Sequence, residues 1–318
     1  MVERRTVLVT GANGFIGSAL VARLVTEPMW NIIASVRVQE QPFAEDVRVV
    51  PAGEVRVDTD WSHALRGVHT IVHAAAVAHV SHVTSGEQLM RLRMTNVDGV
   101  LALAYQAAAA GVKRFVFISS IGVNGNISVR PFTAMDTPRP AETYAQSKWE
   151  AEKGLWRVQQ EKGMELVIIR PPLVYGPNAP GNFGSLMRWI GRGVPLPLGA
   201  IHNRRSLVGI DNLVDLIVRC CYHPAAANQV FLAGDGQDLS TTELLRGVAK
   251  AMGRPARLVP VPASLLNLGA AVLGKRAVAQ RLLGSLQVDI SKARDLLGWE
   301  PPVSVEEGLR RCVRDSSV

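Results

Sequence analysis

The chain has 318 residues, of which 47% are hydrophobic, 19% charged and only 5% aromatic; at roughly 150 residues per domain this means two domains, or one large α/β unit with an elaboration. That composition excludes a disordered chain and leaves Ala, Val, Leu and Ile to build the core, and no apolar run approaches the roughly 18 residues of a membrane span, so integral membrane association is excluded. The net charge of +8 favours an anionic partner, but the basic residues are scattered with no run of five, which favours phosphate-bearing small molecules and argues against nucleic acid.

Met1-Val-Glu-Arg-Arg5 passes straight into the strand-like run Thr6–Thr10, without the apolar region of a secretory leader. Val7–Thr10, Ile32–Val36, Val47–Val50, Thr70–Ala74, Phe115–Ser119 and Leu166–Arg170 are continuous Val/Ile/Phe-rich runs, the pattern of parallel strands buried on both faces. Helical patterns at Gly17–Thr26, Thr95–Ala110 and Glu142–Lys162 separate them. The alternation predicts βαβ units and a doubly wound parallel sheet of the Rossmann type, an α/β fold. Pro and Gly crowd Arg170–Gly181. Beyond them the patterns predict helices near Ser185–Arg192 and over 207–222, a late strand at Gln229–Leu232, and two or three helices after Ser240. Ser264–Gly274, the most apolar stretch of the tail, is expected to be a buried or packing helix, with a membrane-surface or partner contact as the alternative. Cys220, Cys221 and Cys312 make neither a zinc spacing nor a disulfide framework, so a reducing cytoplasm is expected.

Thr10-Gly-Ala-Asn-Gly-Phe-Ile-Gly17 follows the first strand and opens the first helix. Gly11, Gly14 and Gly17 supply a tight turn, close backbone approach to a pyrophosphate, and close helix–strand packing. Asn13, Phe15 and Ile16 complete the turn, where a helix N-terminus offers free N–H groups and a favourable dipole to phosphate. An NAD site places an acid about 20 residues on, to hold the ribose. Here the second strand ends Ala34-Ser35-Val36-Arg37. Arg37 is either a partner for a 2′-phosphate or a solvated arginine, and NADP(H) is expected over NAD(H). Asp58 is suited to accept from an adenine amine, or equally to face water as a loop carboxylate. Ala74, Ala75 and Ala76 are placed to line the cofactor's path. The division expected is a dinucleotide-binding domain over 1–172, to which 206–233 returns. A smaller C-terminal α/β substrate-binding region covers 173–205 and 234–318 and caps the carboxyl ends of the strands.

Tyr144-Ala-Gln-Ser-Lys148 sits early in a helical pattern, so the phenol and the ammonium share one face. A nearby ammonium stabilises phenolate, which makes Tyr144 a usable acid–base group. Ser119-Ser120 closes a strand earlier in the chain, ready to bond the same substrate oxygen.

These residues, with His73-Ala-Ala-Ala76, Asn96-Val-Asp-Gly99, Phe117-Ile-Ser-Ser120 and Arg170-Pro-Pro-Leu-Val-Tyr-Gly-Pro177, resemble the extended short-chain dehydrogenases/reductases, the class of nucleotide-sugar epimerases, dehydratases and ketoreductases. The likeness spans essentially the whole chain. It implies Tyr144 as proton donor or acceptor, Lys148 as a ligand of the nicotinamide ribose, and Ser120 rather than Ser119 as the catalytic hydroxyl. Asn96 falls behind the site, with a purely structural role equally open, and Pro171 and Val174 border the nicotinamide. Gly181-Asn-Phe-Gly-Ser185 and Asn203-Arg-Arg-Ser-Leu-Val208 resemble members acting on nucleoside-diphosphate sugars, so a UDP-linked sugar is the expected partner. By that match Arg205 pairs with the diphosphate, as a planar guanidinium suits, and Asn182 bonds the sugar or diphosphate. His79 is either near the sugar or a packing histidine. His79 and His82 lack completing ligands, so no metal is expected. The family often dimerises through helices matching 95–110 and 142–162, which implies a homodimer.

Dehydratases of the class carry an Asp-Glu pair after the catalytic hydroxyl; here Ser120 is followed by Ile121-Gly122, which argues against dehydration. Arg37 and the likeness of Arg204–Asn212 and Gly284–Asp289 to reductases of surface-polysaccharide assembly tilt the expectation. It falls on NADP(H)-dependent reduction of the C4 keto group of a UDP-4-keto-6-deoxy-N-acetylhexosamine, as in O-antigen and capsule formation. A UDP-sugar 4-epimerase with tightly held NAD is the alternative, and a non-catalytic cofactor-binding protein the remote one.

Overall fold

The computed structural model describes residues 4–38, 43–77 and 86–314. Its strands, in chain order, are β1 (Arg5–Thr10), β2 (Trp30–Val36), β3 (Val47–Pro51), β4 (Thr70–His73), β5 (Arg114–Ile118), β6 (Glu165–Arg170), β7 (Leu173–Tyr175), β8 (Arg205–Gly209), β9 (Gln229–Leu232) and β10 (Asp238–Leu239). The helices are α1 (Phe15–Val25), α2 (Ser62–Leu65), α3 (Gly86–Arg93), α4 (Gly99–Ala109), α5 (Thr143–Lys162), α6 (Gly181–Gly191) and α7 (Ile210–Tyr222). In the tail come α8 (Thr241–Ala251), α9 (Ala263–Val272), α10 (Arg276–Leu283), α11 (Ser291–Leu297) and α12 (Val305–Arg314).

Seven strands form one sheet in the order β3-β2-β1-β4-β5-β6-β9, with every pairing parallel. This is the doubly wound α/β sheet that the alternating runs predict. Successive residues of each strand feed opposite faces: Val7 and Val9 enter the core under α1 and α7, while Leu8 enters the core under α4 and α5. Phe115, Phe117, Ile168 and Ile71 fill the second core and are fully buried. Each such side chain contributes about 1.5–3 kcal/mol by leaving water. The long helix α5 ends where Gly163 turns left-handed at φ 73°.

A three-stranded sheet, β10-β8-β7, lies beside the large one over a third core of Tyr175, Phe183, Leu207, Leu244 and Leu309. The pattern over 207–222 is not all helix: Leu207–Gly209 complete β8, and α7 starts at Ile210. Ser206 and Asp238 bond across this sheet at 2.5 Å, a pairing that local periodicity does not announce. The helical run from Thr95 opens with a π-helical turn, Met94–Asp98, and a Cβ at Gly99 would come 2.5 Å from the Val55 carbonyl oxygen. The tail holds five helices rather than two or three.

The largest departure concerns Ser264–Gly274. These residues do form α9, but none of its side chains is buried. Leu265, Leu268, Val272 and Leu273 are 59, 64, 81 and 71% exposed. The helix is apolar on every side, and the third core takes up only Ala263 and Leu266 from it.

Candidate active site

In the large sheet the winding direction reverses between β1 and β4, and ligands of open α/β sheets bind at the carboxyl ends of such strands. The two segments leaving that point are the glycine turn after β1 and Ala74–Val77 after β4. Gly11 adopts φ +69° and lies so close to the second segment that a Cβ would meet the Ala75 backbone nitrogen at 2.8 Å. A Cβ on Gly17 would come 2.1 Å from the Gly11 carbonyl oxygen. Gly14 caps α1 in extended conformation and donates its N–H to that same oxygen at 2.9 Å. The first turn of α1 has no side-chain cap and no acid, so its N–H groups remain available to an anion.

From this turn runs a groove of about 270 Å³. Gly11, Asn13, Gly14, Arg37 and Ala74–Ala76 line it, as do Ser35 and three residues that the motif reading did not single out: Glu54, Arg91 and Thr95. Phe15, Ile16 and Gly17 continue from it into α1. Arg91 binds the Glu54 carboxylate at 2.7 Å. Asp58 is not on this groove; it is exposed and paired with Arg56 at 3.3 Å. Asn96 clamps the groove's wall, accepting from Val77 N–H at 2.9 Å and donating to the Val77 carbonyl at 3.1 Å and Ser147 Oγ at 3.2 Å.

Tyr144 and Lys148 stand one turn apart at the start of α5. Burial pushes the phenol up to about 12 and the lysine down to about 7, against which the Glu152 carboxylate pulls it upward. The depression of the phenol by its neighbour that the spacing leads one to expect is not what is found: desolvation raises it. Lys148 Nζ sits 4.3 Å above the Phe117 ring. His73, at the end of β4, is fully buried, takes Thr10 Oγ1 at 2.8 Å on Nδ1, and has no partner on Nε2 among the described residues. Burial and the Lys148 charge hold it at about 3, hence neutral.

The adjacent serines differ in surroundings. Ser119 is buried and donates to Glu152 Oε1 at 2.5 Å. Ser120 is partly exposed and accepts from Gly122 N–H at 3.1 Å. Glu152 is itself fully buried and is gripped by Arg170, whose Nε reaches Oε1 at 3.0 Å and whose Nη2 reaches Oε2 at 2.5 Å. Arg170 Nη1 also donates to Asn124 Oδ1 at 3.0 Å. This network beneath the lysine escaped the sequence reading; its one signal was that Tyr144, Lys148 and Glu152 follow at four-residue intervals.

Pro171 is buried, and its carbonyl accepts from Ile121 N–H at 2.9 Å. Val174 lies on β7 against the first core. Arg205 opens β8 and donates to the Gly284 carbonyl at 3.0 Å; burial lowers its pKa from the usual guanidinium value. Asn182 takes the second position of α6, with its side chain outside the described residues, and His79 lies outside them altogether.

The profile of the NAD dependent epimerase/dehydratase family matches residues 7–234. A UDP-glucose 4-epimerase of Vibrio cholerae is 44% identical over 310 residues, covering 96% of this chain and 94% of that one. A UDP-glucose 4-epimerase of Thermotoga maritima, solved with UDP-glucose, superposes with a TM-score of 0.78 at 24% identity over 98% of both chains. A UDP-glucuronic acid 4-epimerase of Bacillus cereus, solved with NAD, gives 0.80 at 20% identity over 98% of both. These findings overturn two expectations. The relative at 44% identity is an epimerase, not a C4 ketoreductase, and a Ser, Tyr and Lys set serves both chemistries without marking which. The preference for NADP(H) falls with it, since a neighbour of the same fold holds NAD. Arg37 is a poor marker because the groove it borders also carries the Glu54 carboxylate.

Proposed function

Given that the chain belongs to the NAD dependent epimerase/dehydratase family and is an enzyme of the extended short-chain dehydrogenase/reductase class, we propose that it is a UDP-sugar 4-epimerase working with NAD. The observation that carries this reading is the 44% identity to a UDP-glucose 4-epimerase along nearly the whole of both chains. The groove fits a dinucleotide: its floor is so close that Gly11 and Gly17 have no room for a Cβ, and the helix end above it is free of acid. Gly11, Asn13, Gly14, Phe15, Ile16 and Gly17 would hold the pyrophosphate, and Ala74–Ala76, Lys148, Pro171 and Val174 the nicotinamide half. Bound there, NAD supplies the hydride acceptor and donor of the reaction.

In this reading Tyr144 takes the proton of the sugar C4 hydroxyl and gives it back, and Ser120 holds that oxygen. Lys148, charged, stabilises the phenolate that Tyr144 becomes. Burial works against both charged forms, so each ion needs an opposite charge nearby. Glu152 supports the lysine's charge from one turn further on. Arg205 and Asn182 would contact the sugar diphosphate, as the family likeness implies. Incubation of the protein with UDP-glucose and NAD, followed by NMR, is expected to show UDP-galactose at equilibrium, with no net loss of nicotinamide absorbance. Unchanged UDP-hexose in both directions would refute the proposal.

A further inference from the structure

Helix α9 presents its apolar stripe outward. Leu265, Leu268 and Val272, spaced i, i+3 and i+7, lie on one exposed face, and α10, packed beside it, adds exposed Val278. The only polar side chains of α9 are Ser264 and Asn267, both uncharged. An apolar face of this kind on a described surface marks an interaction site.

The charge around it is equally one-sided. Residues 244–288 contain Arg246, Lys250, Arg254, Arg257, Lys275, Arg276 and Arg281 and no Asp or Glu at all, so 45 residues carry seven of the chain's eight net positive charges. Lys250 is neutralised by Glu306 and Arg281 by Glu142. Lys275 and Arg276, in the turn after α9 and at the start of α10, are exposed and make no ion pair among the described residues. Arg254 and Arg257 reach only the backbone carbonyls of Gly191 and Gly193.

We infer that α9 and the start of α10 form a docking face for an anionic phospholipid bilayer, with the Leu265/Leu268/Val272 stripe entering the headgroup boundary and Lys275 and Arg276 against lipid phosphates. An apolar stripe flanked by unpaired cations satisfies both requirements of interfacial binding. A second copy of this chain satisfies only one, because two such faces would bring their cations together. No helix of the described residues is long and apolar enough to cross a membrane, so attachment is to the surface. Arg281 ties α10 to Glu142, two residues before Tyr144, and Gly284 holds Arg205.

Cosedimentation with vesicles tests this, using phosphatidylcholine alone and an equal mixture of phosphatidylcholine and phosphatidylglycerol. The whole protein is expected to bind the mixed vesicles at least about tenfold more tightly, each cation at an anionic surface being worth roughly fivefold. The triple variant Leu265→Ser/Leu268→Ser/Val272→Ser and the double variant Lys275→Glu/Arg276→Glu should each weaken that binding about tenfold or more. Both should keep the parent's melting temperature, since the altered side chains are exposed, and Lys162→Glu on α5 should bind like the parent. Absence of binding to the mixed vesicles would overturn the inference, as would binding that survives either variant. So would a dimer that the triple variant dissolves in a protein that ignores vesicles, which would assign the face to a second copy.

Discussion

Replacing Glu152 by Gln would test the buried network beneath Lys148. The carboxylate is fully buried and accepts three hydrogen bonds, from Ser119 at 2.5 Å and from Arg170 at 3.0 and 2.5 Å. A glutamine keeps one acceptor and turns an amide N–H₂ toward a guanidinium that can only donate. Arg170 would retain Asn124 but lose its counter-charge. Breaking a buried ion pair from one side costs about 3–5 kcal/mol, because the other charge is left unpaired. Urea unfolding near neutral pH should therefore show Glu152→Gln to be less stable by that amount. Glu152→Leu/Arg170→Met, which removes both charges, should recover most of the loss. The substitution also withdraws the one influence that raises the Lys148 pKa, so the pH range in which the lysine is charged, and turnover with it, should move downward. A loss below about 1 kcal/mol, or a double variant as unstable as the single one, would refute an account based on stranded charge.

Tyr144→Phe should lower turnover by about 10²–10⁴-fold while leaving UDP-sugar affinity within about twofold, measured by calorimetry; lost affinity with unchanged turnover would assign the phenol to binding. Burial holds Lys148 at about 7 against an ordinary 10.5, so between those values the unfolded chain binds the extra proton and stability rises with pH. Lys148→Met should therefore exceed the parent in stability below about pH 7, by at most about 5 kcal/mol at 1.36 kcal/mol per pH unit, with the difference closing toward pH 10.5. A difference that does not vary with pH in denaturant titrations would contradict this. Gly17→Ala places a methyl 2.1 Å from the Gly11 carbonyl oxygen, so the turn must open; a stability loss of about 1–3 kcal/mol and weakened NAD binding by fluorescence titration are expected.

The large sheet was legible because parallel strands buried on both faces read as unbroken Val/Ile/Phe runs, and the glycine turn because Gly11 and Gly17 leave no room for a Cβ. Tyr144 and Lys148 were legible because helical spacing alone puts them on one face. The Glu152–Arg170–Ser119 network was not, since its members lie 18 and 33 residues apart and meet only once β5 pairs with β6. The sequence leaves Asp58 open between the groove and a water-facing loop; the loop after β3 brings Glu54 to the groove instead, and loop paths leave no periodicity to read. Helix α9 misled for a physical reason: an all-round apolar helix normally signals burial, and periodicity cannot reveal that the third core fills before covering it. Reductase and epimerase were inseparable by motif because the same three side chains serve both, and Arg37 was weighed without the Glu54 carboxylate that the fold brings to the same groove.

The path of the chain between its two sheets bears on how the protein folds. It leaves the large sheet after β6, builds β7 and β8 of the small one, returns through α7 and β9, and departs again for β10. Neither sheet is made from one uninterrupted segment. A fragment ending at 172 would lack β9, leaving the edge of β6 open to pairing with another chain, and would lack α7, which supplies Leu213, Leu216, Ile217 and Cys220 to the first core. The large sheet is therefore incomplete until Leu232 has been made, by which point β7 and β8 of the small sheet have been made as well, and the two sheets should melt as one cooperative unit.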